Sequence, residues 1–203
     1  MTRPDRTKLL YLSGLVGLTG LTIAGLAPLE AAERVPVLLL VVVALFTPAL
    51  VQAWLLRLHV QGRRAHRAGR HTEALRLYGE QLAALQQRPQ LNHAVRLGWM
   101  VYTDRTDAMV WNRIAAICLE LGHADKARSA AENALAFDPL YPQPWVNLAG
   151  SALLEDDRVS AERCLQQAHT LGLRSTSIDA LIRQAAAARA RTSTDREAAL
   201  PSE

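Results

Sequence analysis

The sequence predicts an all-α chain: a hairpin of two membrane-spanning helices, then a short helical solenoid of about three repeated helix pairs closed by a capping helix. Three observations predict it. Residues 9–27 and 36–56 carry no charge. At about 1.5 Å of rise per residue, each run is long enough for a hydrocarbon core of about 30 Å. Trp111 and Trp145 stand 34 residues apart, and similar small and apolar residues follow each of them. A fixed period of that length marks helix pairs that bury their faces on one another. Finally, Ala and Leu are abundant and no alternating β-branched run reads as a strand.

The chain begins with a short basic segment, 1–8, holding Arg3, Arg6 and Lys8. The first apolar run, 9–27, carries Ser13, Gly17, Gly20 and Ala24 in two pairs spaced by four. Small residues at that spacing let helix backbones approach closely in lipid, against the second run or against another membrane protein. A cleaved signal peptide is the rival reading. The run is long for one, and a second apolar run follows at once. The connector, 28–35, is only PLEAAERV. In the second run, 36–56, Pro48 predicts a kink, and Gln52 and Trp54 suit a membrane interface. Arg57, Arg63, Arg64, Arg67 and Arg70 follow with no acid among them, whereas the connector offers Arg34 against Glu30 and Glu33. The positive-inside bias therefore puts both termini in the cytoplasm and the connector outside, as expected for a multi-pass protein of a bacterial inner membrane. The basic stretch 57–70, with residues 9–56, is expected to meet membrane lipid, at about 1 kcal/mol per Arg near an anionic surface.

Beyond the second run the repeats begin. The copy from Trp111 reads Trp111, Ile114, Ala115, Cys118, Gly122, Ala127, Ala131, Ala134 and Pro139 at the recurring positions. The next reads Trp145, Leu148, Ala149, Ala152, Asp156, Ala161, Leu165 and Ala168, with Asp156 where a Gly is expected and Leu173 where a Pro is. Small residues at 115 and 127 permit close helix packing, Gly122 supplies a left-handed stop, and Pro139 cannot continue a helix. This pattern resembles the tetratricopeptide repeat (TPR) family. A more degenerate copy lies upstream, with Gly62, Gly69, Ala74 and Tyr78 in place, Gln81 instead of Ala, and Pro89 three residues late. The repeats fall at about 55–89, 108–141 and 142–175, within a solenoid over 57–191. Residues 90–108 form an insert in which Val95, Trp99 and Tyr102 recur at helical spacing. Residues 177–191, with Ser177 and Asp179 at the start and an Ile178, Leu181, Ile182 stripe, predict the capping helix. The polar tail 192–203 predicts disorder.

The resemblance implies binding of proteins rather than chemistry. First-helix residues of such repeats line a groove that holds an extended peptide or a helix. Carried over by position, that groove comprises His59, Arg63, His66 and Arg67; Asn112, Ala116, Leu119 and Glu120; and Val146, Asn147, Gly150, Leu153 and Leu154. The carboxylate clamp of some members is not expected, because Lys is absent from the groove and Arg63 stands where an Asn is needed. A partner with an acidic end and an apolar stripe suits what remains.

No nucleotide loop, metal spacing or nucleophile motif appears, so no enzyme activity, cofactor or small-molecule substrate is expected. His59 and His66 share a helix face, but the sequence shows no Cys or acid beside them to complete a metal site. The arginines lack the aromatic platform of a nucleic-acid surface, so none is expected as a partner. Cys118 and Cys164, with no CxxC, read as buried packing residues. Charge is polarised: the total is +4, yet from Asp104 to Glu162 acids outnumber bases ten to five. The whole reads as a membrane-anchored adaptor for assembly of a membrane complex. Its rivals are a secretion or envelope subunit that makes contact through the hairpin, and a regulatory subunit of a membrane enzyme or protease.

Overall fold

A computed structural model describes residues 56–92, 103–173 and 176–198, together with isolated positions 13, 14, 17, 35, 36, 38, 39, 43, 47 and 54. Among them every regular element is helical. The helices are α1 (Arg57–Arg67), α2 (His71–Gln87), α3 (Thr106–Glu120), α4 (Ala124–Phe137), α5 (Pro142–Leu154), α6 (Arg158–Thr170) and α7 (Ile178–Ala198). The chain is therefore all-α, and no described residue lies in a strand.

Three hairpins, α1–α2, α3–α4 and α5–α6, stack in chain order. Each closes at a residue of positive φ: Gly69 at 73°, Gly122 at 72° and Asp156 at 62°. Each turn makes the same long backbone bond, the N–H of the residue after it reaching back to a carbonyl in the preceding helix. Arg70 N donates to Ala65 O at 2.9 Å, His123 N to Cys118 O at 2.8 Å and Asp157 N to Ala152 O at 2.9 Å. This is the left-handed helix stop that glycine makes without a Cβ penalty. Asp tolerates it better than most residues, which is how the third hairpin dispenses with glycine. Asp157 then caps α6 by accepting from Ser160 N at 2.9 Å.

Small residues set the spacing within hairpins. Ala65, Ala74, Leu77 and Tyr78 form one buried cluster with Val110 and Ile117, which ties the first hairpin to α3. Ala115, Ala130 and Ala131 bring α3 against α4, with Trp111 packed on them and Leu148 of α5 beside it. Pro142 and Pro144, in the first turn of α5, lack N–H groups that would have no helical partner there. Between the first two hairpins, residues 89–92 form a 3₁₀ turn. Thr106 Oγ1 donates to the carbonyls of Leu91 at 3.2 Å and Asn92 at 2.9 Å, fastening the start of α3 to that turn. The expected helical stripe Val95, Trp99, Tyr102 lies outside the described residues.

Two sequence expectations change here. The tail was expected to lose structure at 192, but the helical backbone of α7 continues to Ala198. A polar composition removes the burial signal, not the capacity for helix, and no Gly or Pro interrupts 178–198. The capping helix also does more than close an end. α7 lies chiefly along α5 and reaches α3, with less contact to α6.

The apolar N-terminal runs fall almost wholly outside the described residues. Among those described, no helix is long and apolar enough to cross a membrane. Positions 13, 14, 17, 35, 36, 38, 39, 43, 47 and 54 are helical. Val35, Leu38, Leu39, Val43 and Trp54 are exposed.

Candidate functional site

The inner face of the stack is built from the first helix of each hairpin, α1, α3 and α5, and α7 lies against two of them. Leu181 and Ala185 of α7 are buried in one cluster with Ala149, Ala152 and Leu153 of α5 and Ala161 and Leu165 of α6. A narrow gap remains between the three helices, walled by Leu119, Gly150, Leu154, Leu181 and Gln184. The apolar face of α7 repeats at three- and four-residue steps through Leu181, Ala185 and Ala188, all buried. At the far end Arg189 holds α7 to the end of α5. It donates to the Leu153 carbonyl and pairs with Asp156 Oδ1 at 2.7 Å.

This arrangement redistributes the thirteen groove residues. His59, Asn112, Leu119 and Leu153 are 6–7% exposed and Gly150 is buried, so in this fold they meet their own chain. Leu119 and Gly150 touch each other: a Cβ on Gly150 would lie 3.0 Å from Leu119 Cδ1. Asn112 and Asn147 join neighbouring hairpins. Asn147 Nδ2 donates to Asn112 Oδ1 at 2.8 Å and to its carbonyl at 3.1 Å, and Asn112 Nδ2 donates to the Tyr141 hydroxyl at 3.2 Å. Burial pushes that hydroxyl up to about 12, so it stays protonated. Arg63, His66, Ala116, Glu120, Val146, Asn147 and Leu154 are half-buried, and Arg67 is exposed.

His59 belongs to the core. Its ring lies 5.6 Å from that of Tyr78, and no described group pairs with its Nδ1. Burial, reinforced by Arg113 and Arg63, holds its pKa down to about 3. It is a neutral packing residue, and the expectation that it faces a partner is corrected. A polar residue at helical spacing from His66 reads as a shared surface; what the sequence does not reveal is that Tyr78 crosses behind it.

The corner of this face where α1 ends gathers a second set of groups. His66, in the last turn of α1, shares a hydrogen with Glu120, the last residue of α3, with Nε2 and Oε2 at 2.9 Å. His71, the first residue of α2, brings its Nδ1 to 3.9 Å from the same oxygen. The rings of His66 and His71 are 5.7 Å apart. His66 therefore does meet an acid, 54 residues along the chain, contrary to expectation. His71 was not singled out from the sequence at all. The one available signal was its place immediately after the Gly69 turn, where the start of α2 folds back beside the end of α1.

Both thiols are packing groups. Burial raises the pKa of Cys118 and of Cys164, which disfavours the reactive thiolate. Of the small residues in the first apolar run, Ser13 and Gly17 are helical and exposed, with no described atom within 4 Å of a Cβ placed on Gly17. Gly20 and Ala24 lie outside the described residues. No protein-family model, curated protein or solved structure matches the chain.

Proposed function

We propose that the protein is a membrane-anchored adaptor of the TPR type, a non-enzymatic scaffold that holds a helical segment of another protein at the cytoplasmic face of a bacterial inner membrane during assembly of a membrane complex. The observation that carries this reading is the seat of α7: the inner face already accepts a helix, with Leu181 and Ala185 against α5. A surface that packs one apolar-striped helix is chemically suited to another. The partner would displace α7 or extend along the face toward α1, where Arg63 and exposed Arg67 favour an acidic end. The 34-residue spacing of Trp111 and Trp145 and the repeated turn bond support the family assignment. The uncharged runs 9–27 and 36–56 support the anchor, as do exposed Val35, Leu38, Leu39 and Val43. Arg57, 5.3 Å over the Trp54 ring, suits a membrane interface.

Crosslinked capture from solubilised membranes tests the proposal, with the full chain beside residues 58–203. Capture of the same protein by both, lost in Arg63→Glu/Arg67→Glu, supports recognition by the repeats. Capture by the full chain alone transfers recognition to the apolar hairpin and overturns the adaptor reading. Leu119 and Leu153 are too buried to serve as test sites, because charge there would unfold the stack rather than block a partner.

A further inference from the structure

We propose that His66, His71 and Glu120 form a three-ligand site for a zinc-type transition-metal ion that clasps the first hairpin to the second. One ligating atom from each residue lies within 4.8 Å of the other two. In a tetrahedral site with bonds of about 2.0 Å, ligand atoms stand about 3.3 Å apart. The His66–Glu120 distance is 2.9 Å and the His71–Glu120 distance 3.9 Å, so small side-chain rotations bring the set to that geometry.

Two helix ends offset the positive charge of Arg63 and Arg67 on α1. α1 ends one residue after His66, and α3 ends at Glu120 itself. Two helix C-termini, each the negative end of its macrodipole, thus converge on the corner. Arg70, the nearest arginine in sequence to His71, is paired to Glu73 at 2.8 Å. His71 Nδ1 is shielded from solvent without a hydrogen-bond partner in the described structure. A metal bond supplies what that lone nitrogen lacks. The side chains of His66, His71 and Glu120 retain 14%, 24% and 31% of their exposure, which leaves a path for an ion to enter.

The donor set selects the ion. Two imidazoles and one carboxylate suit zinc and its neighbours, whereas calcium and magnesium require mostly oxygen ligands. Three protein ligands leave a fourth position for water or for a group from a bound partner. The three residues come from three different helices. Metal binding would therefore fix the α1–α2 hairpin, which continues from the second apolar run, against the rest of the solenoid. This inference concerns the chain alone and does not depend on the adaptor reading.

The test uses the full-length, tag-free chain in detergent, with cobalt(II) as the spectroscopic probe and zinc as competitor. The expected result is one cobalt per chain, with visible ligand-field bands of a tetrahedral site that zinc abolishes, and a raised thermal midpoint with zinc. Glu120→Gln and His71→Gln keep the side-chain volume nearly unchanged. Each should weaken binding by more than about 100-fold, beyond the 10–100-fold typical of groups that only orient ligands. Exposed His123, changed to Gln, should leave binding intact. Circular dichroism of each variant without metal establishes that it folds. Absence of tetrahedral bands in the folded wild-type chain overturns the proposal, as does unchanged affinity in both folded ligand variants.

Discussion

Adding one methyl group at each of two glycines of the first hairpin should change stability in opposite directions. Gly62 is buried in α1, and a Cβ built there would stand 2.8 Å from Tyr78 Cε1, 3.0 Å from Cζ and 3.1 Å from Cδ1. Tyr78 is fully buried, and His59 packs on its ring, so the ring has little room to retreat. Carbon–carbon contacts relax near 3.5–4.0 Å, so Gly62→Ala must push the two helices apart by roughly half an ångström or more. Overpacking of this kind costs about 1–3 kcal/mol. The gain in helix propensity from Gly to Ala returns about 1 kcal/mol, leaving a net loss of about 0–2 kcal/mol. Gly79 lies on the exposed side of α2, with no described atom within 4 Å of a Cβ. Gly79→Ala therefore keeps the propensity gain and should stabilise by about 1 kcal/mol. Urea unfolding of both full-length variants, followed at 222 nm, reads the difference as a shift in midpoint at constant slope. If Gly62→Ala matches Gly79→Ala, the close α1–α2 approach is not what selects glycine at 62.

Two further outcomes follow from the core and from α7. His59 has its folded pKa depressed to about 3, below the ordinary 6.5. Between those values the unfolded chain binds a proton that the folded chain does not, so this contribution is complete above about pH 6.5 and declines on acidification, by up to about 1.4 kcal/mol per pH unit. Relative to wild type, His59→Leu should lose less stability between pH 7.5 and 5.5; equal losses in the two proteins would remove His59 as a source of acid sensitivity. Leu181→Ala deletes a side chain that is 5% exposed and seated against α5, at a cost of about 2–5 kcal/mol. Amide exchange should then rise first over 178–191 while 106–120 stays protected; uniform loss of protection would mean α7 is integral to the stack rather than a helix laid on it.

The helix pairs were legible because their signals are local. The Trp111–Trp145 period, Gly122 and the alanines each act within one turn or one helix contact. Asp156 looked like a departure from the repeat and is a substitute: it takes the same positive φ and the same backbone bond as Gly69 and Gly122. What lay beyond reach was the packing of distant segments. A stripe of Ile178, Leu181 and Ile182 tells that a helix has an apolar face but not which face it covers. The cap packs on the last hairpin, as expected, and also overlies Leu119 and Gly150. His66 and Glu120 are separated by 54 residues with an insert between them, so no spacing rule could pair them.

These placements bear together on how a partner could be held. The strip expected to be the apolar part of the groove is covered by α7, and the Asn112–Asn147–Tyr141 bonds fill the middle of the face. A partner that uses the inner face must therefore compete with a tethered helix, whose effective concentration is high. Among the described residues α7 opposes that with buried Leu181, Ala185 and Ala188, partly buried Ile178 and Ile182, and the Arg189 link to Leu153 and Asp156. Between 179 and 191 most of the other residues are alanine or exposed Asp, Arg and Gln, which bury little area. Local opening of such a helix should cost less than global unfolding.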